Sequence, residues 1–301
     1  MIIRTVSESE YYEAFPVSHN AFTSRAFVDV TPYPGGAVRF FTGYGDDFRP
    51  CLGLVAGYRD GEWHAPYSAP FTAPHYTDPP GLEDIYDFIS ELTDMLSAPL
   101  HLTLPPDYYD RRMLPAITGI LGNFARVKTF DFDFHFPTSA YGSYLDNLEG
   151  IAADQLHHAL DSGLTIQLTA DIHRVCEVIR IHRETCSYPP AMPEDQLQAT
   201  IDAVGGEMFV LSHEKTDVAA GIVLHVAEGI VKVLYLGETP GYADLRPLNL
   251  LVYHMFGHYA ASGIDIVDMG TSSTAGIPNI RQCRFKESVG CRIALAPAFV
   301  F

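Results

Sequence analysis

The chain has 301 residues, of which 47% are apolar and 12% aromatic, and its 19 basic and 37 acidic side chains give a formal charge of −18. This length and apolar content allow a sizeable core and exceed the size of a typical single domain, so we expect two domains. The negative charge would repel a phosphate backbone over most of the surface, which disfavours nucleic acid as a partner.

The sequence pattern contains no membrane span and no signal peptide. No apolar run approaches the roughly 18 to 20 residues that a spanning helix needs, and MIIRTVSESEYYEAF turns acidic before an apolar signal core could form. The five cysteines are an odd number scattered through the chain, which is typical of free thiols in a reducing compartment. We therefore predict a cytoplasmic protein with no membrane association.

The first half of the chain alternates between helix and strand patterns. Ser7 and Glu10 have the spacing of a capping box and predict a short helix through YYEAF. Runs of β-branched and aromatic residues predict strands over 37–44, 51–58, 62–67, 100–104 and 130–136. Apolar stripes predict helices over 81–98 and 113–124.

A similar order of elements starts again near residue 145. Asp171 is the predicted cap of a long helix, DIHRVCEVIRIHRETC, and a second helix follows the Pro189-Pro190 break. The other predicted elements are helices in AADQLHHALDSG and LNLLVYHMFGHYAASG and strands in LTIQLTA, MFVLSHE, VAAGIVLHVAEG, IVKVLYLGE, IDIVDMG and CRIALAPAFVF, with RFKE before the last strand. Both halves run helix, antiparallel strands, helix, strand, strand, which predicts two copies of one fold, at 1–145 and 146–301.

Four stretches of the second half carry a family resemblance: DQLHHALDSGLTIQ, AAGIVLHVAEGIVKVLYLGE, YAASGIDIVDMGTSS and FKESVGC. They contain Asp268, Gly270, Phe285, Lys286 and Gly290 in the order typical of one group of transferases. The chain resembles the GNAT superfamily of acyltransferases, in its FemAB-like branch with two tandem GNAT-like domains. The resemblance implies an α+β fold in which each domain is a mixed, mainly antiparallel sheet flanked by helices. It also implies an acceptor side in the first domain and an acyl-donor side in the second.

The resemblance implies transfer of an acyl or aminoacyl group to the amine of a small-molecule or peptide acceptor. Such a transfer depends mostly on positioning and on stabilising an oxyanion. It further implies that Lys286, one of only four lysines, contacts the donor or the tetrahedral intermediate, with Phe285 in the wall of the site. The alternative from the residues alone is a lysine on a strand edge that protects the sheet from aggregation.

Two further residues are candidates for catalysis. Tyr235 lies where GNAT-like domains splay two strands to admit the donor, and its hydroxyl could donate to the carbonyl or shuttle a proton. Packing in the core is the alternative for this tyrosine. Asp268 ends its strand just before Gly270 and could orient the amine, or it could cap the turn in DMGTSST.

The donor site is the least typical part of the second half. A typical GNAT domain binds the pyrophosphate of acyl-CoA on a glycine-rich loop at a helix start. The corresponding stretch, ETPGYADLRPLNLLVY, offers Gly241, Arg246 and Asn249 as cofactor-binding candidates, but Pro247 removes one N–H donor. The FemAB-like branch uses aminoacyl-tRNA as the donor, which the charge of this chain disfavours, so the donor stays open between acyl-CoA, aminoacyl-tRNA and none. The alternative function is a decayed GNAT-like binding or regulatory module without acyl-CoA turnover.

One histidine pair has the spacing of metal ligands. His254 and His258 are four residues apart, but the residues between them lack the glutamate of the zinc-protease motif. We expect this pair to lie on a helix surface, and we expect no metal.

Overall fold

The computed structural model describes residues 1–148 and 150–301, and its internal contacts divide the chain into two compact units. Unit 1 comprises Met1–Phe132, Ser273–Pro278 and Ala294–Phe301, and unit 2 comprises Asp133–Ser272 and Asn279–Ile293. The boundary predicted between residues 145 and 146 lies within unit 2, and a domain division at that position stays a prediction.

The helices and strands alternate along the whole chain. In the first half they are β1 (Ile2–Val6), α1 (Glu8–Ala14), α2 (Arg25–Val30), β2 (Ala37–Tyr44), β3 (Pro50–Arg59), β4 (Glu62–Ala65), α3 (Leu82–Met95), β5 (Leu100–Thr103), α4 (Met113–Leu121), β6 (Arg126–Pro137), α5 (Tyr144–Asn147) and α6 (Gly150–Leu160). In the second half they are β7 (Thr165–Leu168), α7 (Ile172–Thr185), α8 (Glu194–Val204), β8 (Gly206–His213), β9 (Thr216–Ala227), β10 (Ile230–Glu238), α9 (Pro247–Ala261), β11 (Ile266–Thr271), β12 (Ser273–Thr274), β13 (Ile277–Pro278), α10 (Ile280–Ser288) and β14 (Arg292–Val300).

The sheet of unit 1 has the strand order β1-β2-β3-β4-β5-β14. Its neighbours are antiparallel except for β4 and β5, which are parallel because α3 connects them. The core below this sheet contains the buried face of α3, where Ile85, Phe88, Ile89 and Leu92 repeat at helical spacing. The apolar stripe predicted for this helix thus forms part of the core of unit 1.

The sheet of unit 2 has the strand order β6-β11-β10-β9-β8-β7. Its neighbours are antiparallel except for β10 and β11, which are parallel and joined through α9. Both units therefore have the same order of strands. Four antiparallel strands are followed by a helix and a strand that pairs in parallel, and a last antiparallel strand completes the sheet. This repeated order confirms the predicted α+β fold with two copies of a mixed, mainly antiparallel sheet flanked by helices.

Two helices cover the strands that carry the candidate site. Both α7 and α9 pack against β8, β9 and β10. The side chains of Leu251, Val252, Met255 and Phe256 in α9 are almost fully buried. Burying four large apolar side chains contributes on the order of 1.5 to 3 kcal/mol each, so α9 is held firmly against the sheet of unit 2.

Two predicted helix caps are confirmed. Glu10 accepts a hydrogen bond from the backbone N–H of Ser7 at 2.8 Å, and the Ser7 hydroxyl accepts one from the N–H of Glu10 at 3.3 Å. The carboxylate of Asp171 accepts from the N–H of Arg174 at the start of α7. Each cap supplies acceptors for N–H groups that the first turn of a helix leaves unpaired.

One alternative left open by the sequence is wrong. RFKE lies inside helix α10, and Lys286 is in its last turn, so the alternative reading of Lys286 as a strand-edge residue does not hold. The side chain of Asn279 accepts a hydrogen bond from the N–H of Gln282 and begins this helix. The apolar residues of α10 are too few to produce a clear stripe in the sequence, and for this reason the pattern did not reveal the helix.

Candidate functional site

The parallel strands β10 and β11 separate in the middle of the sheet of unit 2. They pair at three positions, and the last of these is Lys232 opposite Asp268. Although β10 continues to Glu238 and β11 to Thr271, the described residues beyond that position form no further pairs between these two strands. The sheet therefore opens next to the Lys232–Asp268 pair.

Glycine at position 270 allows β11 to turn away at this opening. Its φ of +77° is a conformation that residues with a side chain rarely adopt, and the register of β11 against β6 shifts between Asp268 and Gly270. A Cβ atom at this position would lie 3.6 Å from Lys232 Nζ. The backbone here is therefore both bent and close to the charged groups of the site.

A buried ion pair lies where the two strands separate. Lys232 Nζ is 2.8 Å from Asp268 Oδ2 and 3.9 Å from a carboxylate oxygen of Asp133 on β6, and all three side chains are at most 7% exposed. Burial alone would lower the pKa of Lys232, but the carboxylates of Asp268 and Asp133 hold that pKa above its ordinary value. The other oxygen of Asp268 accepts the N–H of Gly270 at 2.6 Å. Lys232 therefore stays charged and holds the two strands together at the last position where they pair.

Lys286 reaches the same opening from α10. Its ammonium donates to the carbonyl oxygen of Gly270 at 2.8 Å and to that of Thr271 at 3.3 Å. The ammonium nitrogen also lies 5.5 Å from the centroid of the Phe134 ring, within the range of a cation–π contact. The structure thus brings the predicted residues Lys286 and Asp268 to one place, because Gly270 contacts both.

The environment of Lys286 moves its titration toward neutral pH. Burial lowers the pKa of its ammonium to about 8, although Asp133 favours the charged form. The positive charge of Lys232 acts in the same direction as burial, and Asp268 acts against it. An amine with this pKa can gain and lose a proton in the pH range where most enzymes work.

Two neighbours of Lys286 in the sequence have different surroundings. Burial raises the pKa of the Cys291 thiol to about 12, although the charge of Lys286 favours the thiolate. Cys291 is therefore a neutral thiol at neutral pH and a poor nucleophile. Phe285 is half-buried on α10, and its place in the wall of a donor site stays a prediction.

Tyr235 lies in a different part of unit 2. Its hydroxyl accepts a hydrogen bond from the N–H of Met192 at 2.9 Å, and its ring lines a cavity of about 470 Å³. Residues of α7, α8, β9 and β10 and of the segment 188–194 form the walls of this cavity. Lys286 and Asp268 are not among them, so Tyr235 does not share this cavity with the other two predicted catalytic residues.

Three of the four predicted donor-binding residues lie before α9 or in its first turn. Arg246 has a left-handed backbone, with φ of 55° and ψ of 46°, and precedes Pro247, the first residue of the helix. Its carbonyl accepts the N–H groups of Asn249 and Leu250 at 3.2 and 3.4 Å. Gly241 is exposed, with a φ of +92°. Because Pro247 has no N–H and two further N–H groups are engaged, this helix start offers few donors to a phosphate.

Two guanidinium groups interact with Glu238. Burial raises the pKa of the Glu238 carboxyl at the end of β10, and the charges of Arg281 and then Arg246 act against this rise. Both arginines therefore lie close enough to Glu238 to interact with it. His182 Nδ1 accepts the N–H of Glu238 at 3.2 Å, which holds α7 against the same end of β10.

Sequence reasoning did not identify Lys232 and Asp133 as site residues. One signal was available for Lys232, because a lysine inside the apolar strand IVKVLYLGE needs a buried partner. The partners Asp133 and Asp268 lie far apart along the chain, so no spacing connects the three residues.

Two further observations concern membrane-spanning helices and metal sites. No helix in the described part of the chain is long and apolar enough to cross a membrane. Across residues 1–148 and 150–301, no group of three or more histidine, cysteine, aspartate and glutamate side chains could hold a metal ion. His258 Nε2 lies 3.0 Å from an oxygen of Glu207.

Part of the chain is similar to a known protein family. Residues 157–286 match the family model of the acetyltransferase (GNAT) domain. No curated protein is significantly similar to the chain in sequence. The matched residues include both diverging strands, the ion pair and Lys286.

Several solved structures have the same fold over nearly the whole chain. FemX is 12% identical, with a TM-score of 0.69, and the match covers 99% of this chain and 97% of FemX. The C-terminal domain (DUF2156) of a putative lysylphosphatidylglycerol synthetase from Agrobacterium fabrum is 11% identical, with a TM-score of 0.62 and coverage of 98% and 92%. A tandem GNAT protein from the clavulanic acid biosynthesis pathway is 9% identical, with a TM-score of 0.54 and coverage of 100% and 98%. Because these identities are low, the likeness to these structures establishes the fold alone.

Proposed function

We propose that this tandem GNAT protein of the FemAB-like type transfers an acyl or aminoacyl group from an activated donor to the amine of a small-molecule or peptide acceptor. The observation that carries the proposal is the position of Lys286. Its ammonium binds the carbonyls of Gly270 and Thr271 where β10 and β11 separate, and its pKa is about 8. Residues whose pKa is strongly shifted by burial and by nearby charges cluster at functional sites.

In this proposal Lys286 stabilises the charge that develops on the acyl oxygen. An ammonium has three N–H donors, and two of them bind Gly270 O and Thr271 O. The third is left to donate to the acyl oxygen as it becomes an oxyanion. Because burial removes competing water, such a donor contributes far more than it would in bulk solvent.

The chemical step requires one proton to move. A C–N bond forms between the acceptor nitrogen and the acyl carbon, and the bond from that carbon to the leaving sulfur or oxygen breaks. The proton that the acceptor amine loses ends on the leaving atom. Lys286, with its lowered pKa, is suited to relay this proton. Asp268 acts as a positioning residue, because it holds Lys232 and the N–H of Gly270.

For the donor we propose an acyl-CoA. Arg246, just before α9, and Arg281, on α10, both interact with Glu238 at the end of β10, and they would contact the diphosphate in place of a glycine-rich loop. A formal charge of −18 disfavours a tRNA donor, since repulsion would act along the whole nucleic acid. The five cysteines are free, in agreement with the proposed cytoplasmic location.

The proposal is tested in two steps. Thermal unfolding with acetyl-CoA and with CoA measures donor binding, because a ligand that binds only the folded state raises the Tm. Mass spectrometry of mixed amines after incubation with acetyl-CoA then measures transfer. We expect a rise in Tm and an acetylated product that Lys286→Met does not form. No rise in Tm at millimolar acetyl-CoA would refute the CoA donor, and binding without any transfer would favour the binding module.

A further inference from the structure

The cavity beside Tyr235 contains a cation without an acidic partner. Arg183, in the last turn of α7, donates its Nε–H to the carbonyl of Pro189. Within residues 1–148 and 150–301, no carboxylate forms an ion pair with Arg183 and its two terminal nitrogens make no hydrogen bond. Its charge is therefore available to a ligand in the cavity.

Other arginines of the same helix are neutralised. Arg180 forms ion pairs with Glu177 and Glu184, both at 2.7 Å. Arg174 binds both carboxylate oxygens of Asp217, at 2.7 and 2.9 Å. The contrast within one helix shows that the missing partner of Arg183 is a local feature and not a general property of the surface.

Two aromatic rings hold the guanidinium of Arg183 in place. Its central carbon lies 5.2 Å from the ring centroid of Tyr235 and 5.9 Å from that of Tyr188. Stacking of this kind leaves the terminal N–H groups free in the plane of the guanidinium, where they match the two oxygens of a carboxylate. The Tyr235 hydroxyl already accepts from Met192, so its own proton can be donated to the same ligand.

The rest of the lining indicates what else the ligand carries. Ile179, Met192, Leu197 and Ile222 give the cavity an apolar wall. Three carboxylates and two guanidinium groups also line it, so the acidic groups outnumber the guanidinium groups by one. That balance disfavours a dianion such as a phosphate and favours a ligand that has an amine as well as a carboxylate. A volume of about 470 Å³ is adequate for a single amino acid.

We propose that this cavity binds the acceptor, and that the acceptor is an amino acid or a short peptide whose apolar residue carries a free carboxylate, held by Arg183. The assignment of this ligand as the acceptor rests on the proposed transfer. The binding of a carboxylate in the cavity, in contrast, can be measured without any donor. The inference assigns the acceptor carboxylate to unit 2, whereas the sequence led us to expect the acceptor side in the first domain.

The test measures binding without turnover, so that it is independent of the proposed transfer. Calorimetry compares L-leucine with leucinamide, which has the same side chain and amine but no carboxylate, and with alanyl-leucine. We expect leucine or alanyl-leucine to bind. Leucinamide should bind at least about 10-fold more weakly, because it cannot form the charge-assisted pair of hydrogen bonds with Arg183. Binding of leucine would identify a free amino acid, and binding of alanyl-leucine alone would identify a peptide.

Variants of two arginines make the test specific. Arg183→Gln should weaken binding of the carboxylate ligand about 10- to 100-fold. Arg180→Gln, one turn earlier in the same cavity wall, should change it less than about threefold, because the charge of Arg180 is already paired. Equal binding of leucine and leucinamide, no binding of either carboxylate ligand, or an Arg183→Gln variant that binds normally would overturn the inference. A loss of CoA binding in Arg183→Gln with leucine binding intact would also overturn it.

Discussion

Lys232 and Asp268 form an ion pair of 2.8 Å at the last position where β10 and β11 are paired. The pair is almost fully buried, and it lies beside Gly270, whose carbonyl binds Lys286. One charged contact therefore fixes the point where the sheet opens and the position of the amine that we propose as catalytic. The arrangement explains why a protein with few lysines has two of them here.

The ion pair should behave as a coupled unit in stability measurements. Removing one partner of a buried ion pair leaves an uncompensated charge, so Asp268→Asn and Lys232→Met should each lower the free energy of unfolding by about 3 to 5 kcal/mol. The double variant should lose clearly less than the sum. Denaturant unfolding of all four proteins measures this coupling, and additive losses would show that the two residues are independent.

Gly270 should matter for activity beyond its effect on stability. Alanine at a φ of +77° costs about 1 to 2 kcal/mol, and Gly263→Ala is a matched control because Gly263 has a φ of +76° and open space around it. Both variants should lose similar stability in thermal unfolding. Only Gly270→Ala should lower kcat for transfer, since Gly270 contacts Lys286 and Asp268. Equal activity of the two variants would argue against this role.

The donor site should depend on two arginines. Arg246→Gln and Arg281→Gln should each weaken binding of acetyl-CoA about 10-fold, the value of one charge-assisted hydrogen bond. Arg284→Gln is the control, because Arg284 is exposed on the same helix as Arg281. Calorimetric titration of acetyl-CoA checks the three variants. If Arg284→Gln weakened binding as much as Arg281→Gln, the effect would reflect overall charge and not a site.

Tyr235 should affect acceptor binding and not the chemical step. The variant Tyr235→Phe keeps the ring beside Arg183 and removes the hydroxyl that accepts from Met192 N–H. We expect an increase in KM for the acceptor of about three- to tenfold with kcat nearly unchanged, which corresponds to one neutral hydrogen bond. Steady-state kinetics separates the two constants. A fall in kcat of about 100-fold at constant KM would instead indicate a direct role in proton transfer.

The repeated fold and Lys286 were accessible from the sequence for physical reasons. Strand and helix periodicity is local, so the order of elements in both halves could be predicted. The scarcity of lysine and the phenylalanine-lysine pair before Gly290 directed attention to Lys286. Its lowered pKa could not be predicted, because it depends on burial and on the charge of Lys232, which is remote in the sequence.

The remaining features depend on contacts between distant segments. The ion pair joins β10 to β11 through Lys232 and Asp268, and no local pattern specifies which strands become neighbours. Arg183 is available because no carboxylate in the described structure forms an ion pair with it, which the arginine-rich and glutamate-rich sequence of α7 does not reveal. Helix α10 was missed because it is short and its apolar stripe is weak.

The pH dependence of transfer tests the role of Lys286 most directly. Lys286→Arg keeps a cation that does not titrate in this range, so the ratio of its kcat/KM to that of the wild type cancels the titration of the acceptor amine. With a pKa of about 8, the wild-type ammonium loses its proton above that pH, and wild-type kcat/KM should therefore fall relative to the Arg variant as the pH rises through about 8. Lys286→Met should be inactive at every pH. A constant ratio between about pH 6 and about pH 10, or an active Lys286→Met variant, would contradict the proposed mechanism.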